Sequence, residues 1–179
     1  MRRFLAVAAL VLASALPALA VDDALSQAAN QAFLANNAKQ PGVHVTANGL
    51  QFKILQNGFG KRPTPTDTVK VYYTGTLING KIFDGTSPGL PATFKLNGGL
   101  IQGWLQAMLS MREGDHWQVV IPSNLAYGSR GSPDGTIAPD QTVVFDLQLV
   151  STTPAPKKGT PECARDPQCA KEQAKDQEQ

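Results

Sequence analysis

Cysteine is scarce. Two residues in 179 are too few for a disulfide scaffold or a four-cysteine zinc site. Charge of one sign is scarce too. Sixteen Lys and Arg oppose fourteen Asp and Glu, a formal net charge of +2, and no block of like charges occurs. That excludes a polybasic arm and gives no electrostatic reason to expect nucleic acid or an anionic membrane as partner. There is no Gly-rich phosphate loop and no dinucleotide fingerprint. His44 and His116 each stand without a second ligand at metal spacing and read as surface or loop histidines. Ser123 and Ser129 lack the glycine elbow of an α/β-hydrolase. Asp84, Asp115 and Asp146 lie far apart and suggest no acid–base pair. These absences disfavour a nucleophilic or metal-dependent hydrolase.

Long hydrophobic runs are limited to one. Phe4 to Leu16 is apolar except for Ser14, follows Arg2 and Arg3, and leads through Pro17 to Ala18-Leu19-Ala20. This is the pattern of a secretory leader, with cleavage expected after Ala20. The run is shorter than the ~20 residues a spanning helix needs, so no membrane anchor is expected to remain after cleavage. Loss of Arg2 and Arg3 leaves fourteen basic residues against fourteen acidic ones, a formally neutral chain.

Beyond the leader the chain divides into three parts. Residues 21–40 read as a short helical segment, from Asp22 to Lys39. Asp22, Asp23 or Ser26 is available to cap its start. Leu25, Ala28, Ala29, Ala32 and Phe33 fall on one stripe, and Pro41-Gly42 ends it. Such a helix packs on its own domain or, as the second reading, mediates self-association. Residues 151–179 contain four prolines, five charges of each sign and no Ile, Leu, Val, Met, Phe, Tyr or Trp. They are expected to form a flexible polar tail, with a short helix from Ala170 at most. Cys163 and Cys169 both lie there. In an exported protein a disulfide between them is the default; intermolecular pairing or free thiols are the alternatives.

Residues 41–150 hold ten of the twelve aromatics and fifteen of the sixteen glycines. Period-two alternation dominates. Val69, Val71, Tyr73 and Leu77 share one strand face, Trp117, Val119 and Ile121 another, and Val143, Phe145, Leu147 and Leu149 a third. Leu50–Gln56 and Ala92–Leu96 are shorter strand candidates. Asn57-Gly58, Asn79-Gly80, Glu113-Gly114-Asp115 and Asp134-Gly135 mark turns. Gln102 to Met111 alone has helical spacing, in Trp104, Leu105, Met108 and Leu109. The expected fold is therefore α+β, an antiparallel sheet with one short helix laid on it.

Tyr73, Phe83, Trp104, Tyr127 and Phe145 sit in five separate segments. Periodicity alone makes them core. Phe83-Asp84 in a glycine-rich stretch, and Ala126-Tyr127-Gly128 at the start of the longest loop, point instead to a pocket.

Six motifs run in order: Tyr72-Tyr73-Thr74-Gly75, Asn79-Gly80-Lys81-Ile82-Phe83-Asp84, Leu100-Ile101-Gln102-Gly103-Trp104, Ile121-Pro122, Leu125-Ala126-Tyr127-Gly128 and Val144-Phe145-Asp146-Leu147. Together they resemble the FKBP family, the tacrolimus-binding peptidyl-prolyl isomerases. Gly49-Leu50-Gln51-Phe52-Lys53 and Pro91-Ala92-Thr93-Phe94 are similar to its exported, Mip-like bacterial branch. The resemblance covers residues 41–150. It implies a curved sheet wrapped on a short helix, with a pocket between them. In that pocket Trp104 would be the floor, and Tyr73, Phe83, Phe94, Leu100, Ile101 and Phe145 the walls. The Ile101 N–H and the Tyr127 hydroxyl would bind substrate carbonyls. Asp84 would be a buried polar group near the twisting amide, and Ile137 would cover the proline ring. No cofactor is implied. Proline-containing polypeptides and tacrolimus-type macrolides are the implied partners, and the periplasm the implied location.

Departures from the family pattern are specific. Gly85–Pro91 carries no basic residue to pair with Asp84, Ala92 stands where some relatives have an aromatic, and Phe94–Leu100 is one residue longer. The N-terminal helix is far shorter than the dimerising helix of the Mip-like branch, so dimerisation is not carried over. The leading expectation is an exported prolyl isomerase that assists folding. The alternatives are a proline-segment-binding chaperone with weak turnover, and an interaction protein working through the helix or the tail.

Overall fold

Two long strands with clean alternation organise the chain. In the computed structural model, which describes residues 23–177, β3 (Thr68–Leu77) pairs antiparallel with β7 (Val143–Thr153) along its whole length. The expected leader, residues 1–20, lies outside the described residues. Val69, Val71, Leu147 and Leu149 are fully buried on one face, while Lys70, Asp146 and Gln148 point to solvent. Around this pair lie β1 (Val43–Val45), β2 (Gln51–Gln56), β4 (Ile82–Gly85), β5 (Ala92–Lys95) and β6 (His116–Ile121). The order is β1-β2-β6-β7-β3-β4, with β5 also on β3. Every pairing is antiparallel.

The chain therefore has the α+β architecture expected of it. Helix α1 (Gln27–Asn37) precedes the sheet, and α2 (Gln102–Ser110) packs on it through Trp104, Ala107 and Met108. Gly103 permits that approach. A Cβ there would overlap Ile121 Cγ2 on β6, so the helix backbone rests directly on the strand.

Three local outcomes differ from the sequence reading. Phe83-Asp84 is on a strand rather than in a loop. The Asn79-Gly80 turn, closed by Gly80 N–H to Leu77 O and Leu77 N–H to Lys81 O, folds β4 back on β3 as a hairpin. Helix α1 starts at Gln27, capped by the Ser26 hydroxyl, which accepts from Ala29 N–H at 3.2 Å, after a 3₁₀ turn at Asp23–Leu25. Its expected apolar stripe is half exposed, at Ala28 and Ala32. Its buried residue is Asn30, 3% exposed. The Asn30 amide donates to Leu25 O, Ser26 O and Gln141 Oε1, and its carbonyl accepts from Thr142 N–H at 2.7 Å. At the C-terminal end of the helix, Asn37 donates to Gln51 Oε1, and Gln51 donates to Leu34 O. The helix is docked on its own domain by amides, not by alanine.

The third difference is at the C-terminal end of the chain. Strand β7 runs on to Thr153, and α3 (Pro161–Arg165) and α4 (Pro167–Gln177) follow. The order there comes from caps, one ion pair and a crosslink rather than apolar burial. Thr160 caps α3, and Asp166 accepts from Gln168 and Cys169 N–H at the start of α4. Asp166 also pairs with Lys95 on β5 at 2.6 Å. The Cys163–Cys169 disulfide is formed.

Replacing Asn30 by Ala strands the buried Thr142 N–H, and a lost buried partner costs about 1–3 kcal/mol. Urea unfolding should register that loss for Asn30→Ala, whereas Ala32→Ser on the exposed face stays within about 0.5 kcal/mol.

Candidate active site

At the start of α2 the sheet and the helix diverge and leave a pocket of about 220 Å³. Strand β3 supplies Tyr73, β4 Asp84, β5 Phe94 and β7 Phe145. Leu100, Ile101 and Trp104 come from the entry to α2, and Tyr127 from the loop after β6. These eight positions span 73 to 145. Only antiparallel pairing of β3 with β4, β5 and β7 brings the strand residues side by side.

Trp104 is 3% exposed and the other rings stand edge-on around it. Phe94 meets it at 5.0 Å and 69°, and Tyr73 at 6.1 Å and 85°. Tyr73 also meets Phe94 at 5.8 Å. Such edge-to-face pairs set positive ring edges against negative faces and hold ring orientation. Phe83 stands perpendicular to Phe145 at 5.6 Å and so holds that ring's orientation. Ile137, expected over the proline ring, is 3% exposed in the core cluster and does not line the pocket. Its N–H donates to the Ser132 hydroxyl, and its carbonyl accepts from Ser132 N–H, which pins the loop that follows Tyr127.

Asp84 differs from the expectation of a buried group. It is exposed, because β4 is the edge strand and no further strand among the described residues pairs with its outer edge. Its partner is not an arginine. The Tyr73 hydroxyl donates to Asp84 Oδ2 at 2.8 Å, and Gly85 N–H donates to Oδ1 at 2.8 Å. Burial, the hydrogen bond to Asp84 and the charge of Asp84 together push the Tyr73 phenol far above the ordinary tyrosine value. Burial, then the charges of Asp84 and Asp134, raise Tyr127 as well. Both rings are therefore neutral hydroxyl donors at neutral pH. The Tyr127 hydroxyl has no hydrogen-bond partner among the described residues. Nor do the Ile101, Gln102 and Gly103 N–H groups at the start of α2, whereas the Trp104 N–H already donates to Ile101 O at 3.1 Å; an α-helix leaves its first N–H groups without i−4 acceptors. The pocket thus combines aromatic walls with unspent donors.

Sequence reasoning missed Gly75. A Cβ there would lie 2.7 Å from Phe83 Cζ and 2.8 Å from Phe145 Cε1. A lone glycine inside a strand pattern is the signal that could have found it.

Comparison with known proteins shows the family. Residues 60–150 match the family described as FKBP-type peptidyl-prolyl cis-trans isomerase. The chain belongs to that family. Residues 17–54 match the domain amino terminal to FKBP-type peptidyl-prolyl isomerase. Peptidyl-prolyl cis-trans isomerase Mip of Coxiella burnetii is 46% identical over 123 residues, 68% of this chain and 53% of that protein. The FKBP-type 22 kDa peptidyl-prolyl cis-trans isomerase of Escherichia coli is 44% identical over 119 residues, 66% of this chain and 57% of that one. The chain spans about half the length of these curated relatives. Among solved structures, a peptidyl-prolyl cis-trans isomerase from Pseudomonas syringae superposes with a TM-score of 0.66 at 36% identity, over 72% of this chain and 93% of that one. FkpA from Escherichia coli gives a TM-score of 0.68 at 39% identity, over 73% and 60%.

Two outcomes are expected. Gly75→Ala drives a methyl into Phe83 and Phe145; overpacking of this kind costs about 1–3 kcal/mol, and ring-current shifts of both phenylalanines should move in NMR spectra. A phenol raised in the folded state makes the unfolded chain ionise first. Stability from Tyr73 and Tyr127 is complete below the ordinary tyrosine value of about 10 and falls as pH rises above it. Thermal melts of a Tyr72→Phe variant with 295 nm absorbance between pH 8 and 12, in which only Tyr73 and Tyr127 report, would show this; phenolate formation preceding unfolding would contradict it.

Proposed function

We propose that this protein is a prolyl isomerase that accelerates rotation about X–Pro bonds in exported polypeptides. The observation that carries the reading is the Trp104-floored aromatic pocket, lined by two residues with free donors, Ile101 and Tyr127. Rotation about a peptide bond meets a barrier of ~18–20 kcal/mol because twisting breaks amide resonance. For X–Pro the uncatalysed exchange takes tens to hundreds of seconds. A catalyst must hold the twisted amide better than the planar one. Twisting reduces charge separation along the C–N bond, and an apolar aromatic pocket favours that less polar state.

The proline ring seats on Trp104 between Tyr73, Phe94 and Phe145, with Leu100 closing one side. The Ile101 N–H and the Tyr127 hydroxyl hold substrate carbonyls so that one side of the bond stays fixed while the other turns. Asp84 is a positioning group: it anchors the Tyr73 hydroxyl and so sets the wall. Phe83 and Ile137 support Phe145 and the Tyr127 loop. No proton moves and no covalent bond forms. A barrier lowered by about 5.4 kcal/mol gives roughly 10⁴-fold acceleration. Tacrolimus-type macrolides compete for the same pocket. Residues 1–20 act as the export leader, residues 21–40 form the N-terminal helical segment, residues 41–150 carry the activity and 151–179 form an appendage. Export to the periplasm rests on that leader and on the family.

The test is cis-to-trans exchange of a Leu-Pro peptide. Acceleration by the parent should be blocked by tacrolimus. Tyr127→Phe should lower kcat/KM about tenfold, the equivalent of one neutral hydrogen bond. Trp104→Leu, which removes the floor, should lower it by about tenfold or more. A folded parent that gives no acceleration sinks the proposal.

A further inference from the structure

A second concave surface lies at the opposite end of α2. Phe59 is 94% exposed, an unusual position for so large an apolar side chain. It is not on a loose loop. Gly58 N–H donates to the Asp115 carboxylate, Gly60 N–H donates to Glu113 O at 3.1 Å, and a Cβ on Gly58 would overlap the backbone of Glu113 and Asp115. The loop is clamped and holds the ring away from the surface. Behind it is a recess of about 430 Å³ between Ile54, Phe59, Trp117 and Ser110. Trp117 and Ser110 also bound a neighbouring recess of about 280 Å³, whose apolar walls are Phe52 and Leu109. Trp117 is the partition between the two. Its ring stacks on Phe52 at 4.6 Å, and its buried indole N–H has no acceptor among the described residues.

The exposed charge around the first recess has one sign. Arg62 and Arg112 line it, and both are exposed. Among the described residues neither is in a salt bridge; the two ion pairs are Lys95–Asp166 and His116–Asp146. The one carboxylate in the lining is Asp115. It is buried and accepts from the backbone N–H groups of Gly58 and Arg112, so it faces inward rather than toward an incoming ligand. Two guanidiniums beside an aromatic groove complement carboxylates carried on an apolar chain.

We infer that the groove from Phe59 across Trp117 to Phe52 is a second polypeptide-binding site, which takes an acidic segment with apolar side chains. It is separate from the prolyl pocket. The two share no lining residue, and Trp104 and Ser110 are six residues apart on α2, about 9 Å along its axis. The site does not rest on isomerase activity. It needs a chain that enters recesses; a flat lipid surface would reach the tip of Phe59 and leave the recesses behind it empty.

The two tryptophans make the test direct, because each indole N–H reports one site. The full chain, labelled with ¹⁵N, is titrated with the blocked peptide Phe-Asp-Leu-Glu-Phe, which has no proline. The expected result is movement of the Trp117 indole signal with Trp104 unmoved. The double variant Arg62→Glu, Arg112→Glu should bind about tenfold more weakly. The lysine counterpart Phe-Lys-Leu-Lys-Phe should bind the parent weakly and the double variant better. Phe59→Ser, at an exposed position, should weaken binding without changing the Trp104 signal. Four results would overturn the inference: a response confined to Trp104, equal affinity of the parent for the acidic and basic peptides, no response to either, or capture by phosphatidylglycerol vesicles through Phe59 with no response to peptide.

Discussion

The register between β3 and β7 is the constraint on which the rest depends. Their ladder joins Thr68–Leu77 to Val143–Thr153, and within it Tyr73 lies opposite Leu147 and Gly75 opposite Phe145. Side chains alternate faces along a strand, so a slip of one residue would turn Tyr73, Phe145 and the valines beneath them out to solvent. The ladder resists that slip because β7 buries Val143, Phe145, Leu147 and Leu149 while exposing Asp146, Gln148 and Val150, and β3 buries Val69, Val71 and Leu77 on the matching face. It has one irregularity, between Lys70 and Val71. With the register set, β5 delivers Phe94, β4 delivers Asp84, and α2 has a floor to lie on.

Helix α2 then divides the concave face. Gly103 lets its first turn sit against β6, which places Trp104 beneath the tyrosines and phenylalanines of the prolyl pocket. At its other end Ser110 borders the groove around Trp117. The two surfaces differ in electrical character. The first holds two tyrosines whose ionisation is suppressed by burial and by Asp84, which suits the proposed role of offering neutral donors to a twisting amide. The second offers guanidiniums to carboxylates. A polypeptide could be held by charge at one end of the helix while a bond rotates at the other.

Much of the fold was legible because burial in it is one-sided. Trp117, Val119 and Ile121, and Val143 through Leu149, carry the period of a half-buried strand, and the apolar residues of that period are buried. Helix α1 was legible as a helix, yet its docking was not. Of the stripe Leu25, Ala28, Ala29, Ala32 and Phe33, Leu25 packs on the core while Ala28 and Ala32 are exposed, and Asn30, Asn37, Gln51 and Gln141 supply the polar contact. Amide pairs leave no periodic trace, since asparagine and glutamine look alike whether solvated or satisfied by a distant partner. The same blindness hid the Asp84–Tyr73 bond, which answers the missing loop arginine with a hydroxyl from the neighbouring strand, and the Lys95–Asp166 pair, which ties the polar C-terminal helices to β5.

By itself the sequence determined which residue types are available, the strand and helix periods that class the fold as α+β, and the ordered motifs that resemble one family. These are local properties, readable from spacing along the chain. It took the tertiary structure to show that Asp84 is exposed at the rim, that Phe83 stands perpendicular to Phe145, that Ile137 is buried in the core cluster, that Gly75 must be bare, and that Phe59 is held out over a groove. Each of those depends on what lies across the sheet at the same point in space, and no pattern along one strand encodes its neighbour's side chains.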